Sequence, residues 1–127
     1  MKIIIIGDPR TKKNHSRLVY RGGRTFLIPS QQYQKYESEF IAQCMEQGIW
    51  NKNLNYRMNI ECKYYMHTRR RVDLNNLLEG TTDCLVAAKV ITDDESKIVA
   101  GHDGSRVLYD KENPRVEITI TELEEGV

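Results

Sequence analysis

The run Arg69-Arg70-Arg71-Val72-Asp73, followed by Asn75, Glu79, Asp83, Asp93 and Asp94, holds the residue types used in phosphate chemistry. Carboxylates arriving from separate elements are the usual donors for Mg²⁺, a small cation that takes oxygen ligands and keeps several of its waters. Guanidinium groups beside them would hold phosphates. Asp73 falls where a long alternating segment gives way to a helical one, and Asp93-Asp94 falls past that helix's far end. A turn folding back there would face Asp73. Each residue also has a plain structural use: Asp73 suits a helix N-cap, Thr92-x-x-Glu95 fits a capping box, and three arginines suit a solvated face. A second basic patch, Arg10, Lys12, Lys13 and Arg17, lies in an irregular stretch and gains Arg21 and Arg24. It suits sequence-independent contact with a phosphate backbone, with a solvated loop as the alternative.

The elements that must position these groups can be read from spacing. Lys2 to Gly7, with four isoleucines, predicts a strand in a sheet interior, closed by the turn signal Gly7-Asp8-Pro9. Val19-Tyr20 and Thr25 to Ile28 flank Arg21-Gly22-Gly23-Arg24, which predicts a hairpin with a basic tip. Ser30 can cap a helix to about Gln47, stopped by Gly48, with Tyr33, Tyr36, Phe40 and Cys44 on one face. Tyr56 to Met66 alternates with period two and predicts the clearest strand. A second helix should run from Leu74 to about Ala88, with Leu74, Leu77, Leu78, Leu85 and Ala88 inward. Ile98 to Ala100 and Arg115 to Thr121 predict two more strands, with a loop-rich Gly101 to Pro114 between them. The order predicts one α+β domain over residues 1–127, with two helices packed on a small mixed β-sheet.

At 127 residues the chain is long enough to bury one core without staples. No apolar run approaches the ~20 residues of a membrane span, and the first residues lack a signal-peptide pattern, so a cytoplasmic protein is expected. Cys44, Cys62 and Cys84 are odd in number and widely spaced, with no C-x-x-C and no zinc spacing to His15, His67 or His102. They read as buried small hydrophobes. Net charge is only +1, but residues 1–72 hold 14 Lys/Arg against 5 Asp/Glu, and residues 73–127 hold 5 against 13. Such asymmetry fits a polyanion partner met by cations and a metal held by acids, or two halves that neutralise each other.

The stretch from Asp73 through Asp94 resembles the signature of RusA-type Holliday-junction resolvases, small phage and prophage endonucleases. Asp73, Asn76, Leu77, Asp83, Leu85, Asp93 and Asp94 keep its intervals. Gly7-x-Pro9 with the cations after it is similar to the family's opening, and Arg115 to Leu123 to its last strand. The resemblance implies a homodimer that binds four-way DNA junctions and cuts them with Mg²⁺, Mn²⁺ substituting, with no membrane and no small-molecule cofactor involved. Asp73 and Asp94 match the catalytic carboxylates, while Asp93 and Asp83 match further acids. Asn75 stands where the family has an acid, and Glu79 where it has a lysine. Asn75 can ligate through its carbonyl oxygen, and Glu79, one helical turn on, can restore the missing carboxylate. The catalytic set expected is Asp73, Asp94, Asn75 and Glu79, with Asp73, Asp94, Asn75 and Asp93 on the metal. Arg10, Lys12, Lys13, Arg17 and Arg69 to Arg71 would lie on DNA. The rival expectation is a junction-binding protein whose cleavage has weakened at residues 75 and 79.

Overall fold

A computed structural model describes residues 1–11, 17–28 and 30–124, with side chains except those of residues 17 and 27. Strand β1 (Lys2–Ile6) is followed by the hairpin β2 (Arg17–Arg21) and β3 (Arg24–Ile28), then helix α1 (Gln31–Glu46). Strand β4 (Met58–Met66), helix α2 (Leu74–Ala87) and strands β5 (Val99–Gly101), β6 (Arg106–Tyr109) and β7 (Arg115–Glu122) complete the order. The main sheet runs β1-β7-β4-β5, with β6 also on β4, while β2 and β3 form a separate two-stranded sheet among the described residues. β7 is antiparallel to β1 and β4, and β5 and β6 are parallel to β4. The expectation of a small mixed sheet bearing two helices holds.

Both helices end through the same device. In α1, Gly48 takes a left-handed φ of 72° while its N–H and that of Ile49 bond the carbonyls of Met45 and Cys44. In α2, Lys89 takes the equivalent position at φ 56°, with Lys89 N–H on Val86 and Val90 N–H on Leu85. This paired bonding satisfies carbonyls that a helix end otherwise leaves open. Ser30 caps α1 by accepting from Tyr33 N–H at 3.2 Å.

The helices cover one face of the sheet. Ile3, Ile5, Ile60, Cys62, Tyr64, Val116, Ile118 and Ile120 meet Tyr33, Phe40, Leu77 and Leu85 there, all buried. Polar atoms inside that layer are paired: Tyr64 and Thr81 hydroxyls lie 2.7 Å apart, and Tyr33 Oη donates to the Gly80 carbonyl. The three cysteines are buried as expected, and burial pushes the Cys44 thiol up to about 11 and those of Cys62 and Cys84 to about 12. At neutral pH they stay protonated and unreactive.

Two expectations need correction. The isoleucine run is not interior on both faces: Ile3 and Ile5 are buried, whereas Ile4 is 39% and Ile6 61% exposed. β1 is an edge strand of a sheet covered on one side only. Its outer edge is closed by α1, because Gln43 bonds both Ile6 N–H and C=O and Gln47 does the same at Ile4. Two side-chain amides thus stand in for a neighbouring strand. The stretch Gly101 to Pro114 is not all loop, since Arg106–Tyr109 forms β6. Between β5 and β6 the ladder on β4 is kept by side chains, with Ser105 Oγ accepting from Cys62 N–H and His102 Nδ1 on the Ile60 carbonyl.

Candidate nucleic-acid and metal site

β1, β4 and β6 run the same way, so their carboxyl ends gather at one end of the molecule. α1 and α2 return in the opposite direction, so both helix N-termini point to that end, where helix dipoles favour anions. In open sheets, the carboxyl ends of parallel strands are where ligands collect.

Clefts open there. One is lined by Asp8, Arg10, Thr11, Met66, Thr68, Arg70, Arg71 and Val72, and brings Arg10 beside Arg70 and Arg71. Another joins Gly7, Asp8 and Arg10 to Gln32, Lys35, Tyr36 and Glu39 of α1. Arg10 and the Arg70-Arg71 pair, some sixty residues apart in sequence, therefore line one cleft.

Its backbone is fixed. Asp8 Oδ1 accepts from His67 N–H at 2.9 Å and ties the end of β1 to the end of β4. Thr11 is buried, and the Arg10 carbonyl passes so close to Gly80 of α2 that a Cβ there would sit 3.3 Å from it. Arg69 turns aside, its guanidinium 4.1 Å from the centre of the Tyr109 ring on β6. Lys12 and Lys13 lie outside the described residues, and of Arg17 only the backbone is described.

Asp73 caps α2 beside this surface, its Oδ1 accepting from Asn75 N–H at 2.8 Å. Capping uses one carboxylate oxygen, so the structural and ligand roles are compatible. Asp73, Asn75 and Glu79 are all exposed within the first turns of α2. Asp83 is half-buried farther along.

Asp93 and Asp94 do not join them. The turn after α2 lies against the start of β4: Thr92 N–H bonds the Leu54 carbonyl, and Ile98 C=O accepts from Met58 N–H. Asp93 Oδ1 accepts from the next residue's N–H at 2.7 Å, and both side chains are exposed. No fold-back occurs, because the chain leaving α2 is committed to pairing at the strand's amino end. With 14 residues, α2 is about 20 Å long, and the two acidic groups lie beyond its opposite ends within one chain. Among the described residues, no three His, Cys, Asp or Glu come together to hold a metal ion.

Sequence reasoning missed Asp8, Lys35 and Tyr109. Asp8 was readable only as part of a turn, and no spacing links it to residue 67, 35 or 109.

The family comparison decides the identity. A family model described as Endodeoxyribonuclease RusA matches residues 6–121, nearly the whole chain. The chain belongs to the RusA endodeoxyribonuclease family. No curated protein matches it. RusA enzymes act on branched DNA junctions, and the cationic end of this RusA chain is of the right chemistry for a phosphate backbone. Among the described residues, no helix is long and apolar enough to cross a membrane.

Proposed function

We propose that this RusA protein is a Mg²⁺-dependent endonuclease that resolves four-way DNA junctions in recombination and repair, Mn²⁺ substituting, and works as a homodimer in the cytoplasm. The observation that carries the reading is the cleft where Arg10, Arg70 and Arg71 meet beside Asp73 and the α2 N-terminus. Arg10, Arg70 and Arg71, with Lys12, Lys13 and Arg17 nearby in sequence and Arg69 beside them, hold the phosphates. Asp73 with Asn75 and Glu79 forms one half of the ligand set. Asp94 and Asp93, beyond the other end of α2, form the other half. Supporting a dimer is this division itself: two chains placed antiparallel along α2 about a two-fold axis would bring Asp73 of each near Asp94 of its mate. A bound divalent cation there would lower the pKa of a water and offset charge on the phosphate.

The test is a labelled four-way junction and its matched duplex, incubated with protein in Mg²⁺ or EDTA. Metal-dependent nicking of the junction alone is expected. Binding without nicking would leave a junction-binding protein instead. Mixed dimers address the shared site. Asp73→Asn chains and Asp94→Asn chains are each expected to be inactive and to bind no metal, whereas a dimer of one of each regains one intact site. It should bind one equivalent of Mn²⁺ and nick one strand. A mixed dimer that stays inactive and metal-free would place all ligands within one chain.

A further inference from the structure

The β2–β3 hairpin stands outside the main sheet, and two strands alone in water are at best marginally stable. Yet it spends its surface on large apolar groups, with Leu18 73%, Tyr20 74% and Phe26 44% exposed. The register sorts its side chains. Val19 faces Phe26 and Arg21 faces Arg24 on one side, with Ile28 in line, while Leu18 and Tyr20 point to the other. The first side forms a groove lined by Val19, Arg21, Gly22, Phe26 and Ile28. Phe26 therefore shares one face of the hairpin with Arg21 and Arg24, at a tip turned by Gly22 and Gly23, both with positive φ. No Asp or Glu occurs from residue 9 to residue 36, against seven Lys and Arg. A flat apolar ring within an uninterrupted cationic stretch matches a nucleotide, whose base stacks while its phosphates meet the arginines. It matches a second copy of the same hairpin poorly, since a two-fold contact would set Arg21 and Arg24 against themselves.

We infer that this groove binds an unpaired nucleotide at the DNA branch point, with Phe26 stacking on the base and Arg21 and Arg24 on the flanking phosphates. The inference rests on the proposed junction activity, and makes the hairpin the element that distinguishes a branch from continuous duplex. Duplex keeps its bases stacked internally and offers the groove only phosphate.

The experiment uses a four-way junction with 2-aminopurine at the branch point and a matched duplex, both titrated in EDTA with the full-length protein. Phe26→Leu keeps the groove apolar and removes the ring, while Phe26→Trp keeps a ring. The parent and Phe26→Trp are expected to bind the junction and change the 2-aminopurine emission. Phe26→Leu should lose about tenfold in junction affinity and most of the emission change, with duplex affinity unaltered. Parental behaviour of Phe26→Leu on the junction would overturn the inference, as would equal losses on junction and duplex. So would a change in sedimenting mass with DNA binding intact, which would assign the groove to a second chain. A parent that does not prefer junction over duplex would instead overturn the proposed function, and this inference with it.

Discussion

Asp73 carries two duties that substitution can separate. As an N-cap its Oδ1 receives the Asn75 amide, and an asparagine oxygen can do the same. Asp73→Asn should therefore melt within about 1 °C of the parent but lose junction cleavage, whereas Asp73→Ala should lose cleavage and about 1 kcal/mol of stability. Thermal unfolding beside a cleavage assay checks both, and an active Asp73→Asn would leave residue 73 a cap alone. Asn75 and Glu79 lie one turn apart on the exposed side of α2, where groups serving one ion must couple. Glu79→Ala is expected to raise the Mg²⁺ needed for half-maximal cleavage, Asn75→Asp to lower it, and the double variant to recover part of the loss. Strictly additive effects in a Mg²⁺ titration would remove Glu79 from the ion's surroundings. On the open face of the sheet, Arg115 bonds Glu117 through Nε at 2.8 Å and Asp110 through Nη1 at 3.0 Å, above the Tyr65 ring. The Arg115 hydrogen bond holds Glu117 below its usual 4.5, and the Asn113 amide, then Arg115, lowers Asp110. Both carboxyls bind protons more weakly folded than unfolded. Their contribution is therefore complete above about pH 4.5 and is lost as pH falls through the lowered values. Arg115→Gln should flatten the acid limb of a stability-against-pH curve, and an unchanged limb would show that the pairing contributes nothing.

At the scale of elements, the two helices use one C-terminal bonding pattern with different residues. Gly48 adopts a left-handed φ without cost, but Lys89 does so with a Cβ. Lys89→Gly should stabilise by about 1 kcal/mol, seen as a rise of roughly 3 °C in melting temperature. A fall would mean that the lysine side chain contributes more than its backbone costs. The boundaries of both helices were readable because Ser30, Gly48 and Asp73 act on their own local backbone. Tyr56 to Met66 was readable because one face of β4 is buried and the other is not, which writes a period of two into the sequence. β6 was not readable. All four of its residues are exposed, so no alternation marks them, and it exists only because β4 offers an unpaired edge.

At the scale of the whole molecule, the cations of residues 10, 35, 70 and 71 gather at the carboxyl ends of the strands. Cations acting together on a phosphate backbone release counterions, so junction affinity should fall steeply with salt. Arg10→Ala and Arg70→Ala should each lower the slope of log affinity against log salt by about one unit. A slope unchanged in either variant would take that arginine off the DNA.

The sequence alone determined what depends on near neighbours: helix ends, strand alternation, a buried fate for three cysteines, and the spacing from Asp73 to Asp94 that marks the family. The tertiary structure decided what depends on distant pairing. Docking of the Arg10 backbone against Gly80 set Arg10 beside Arg70 and Arg71, and the amino end of β4 drew the Asp93-Asp94 turn away from Asp73. Residue count fixes the length of a helix, about 20 Å for α2, yet what meets each of its ends is set by packing that no local pattern records.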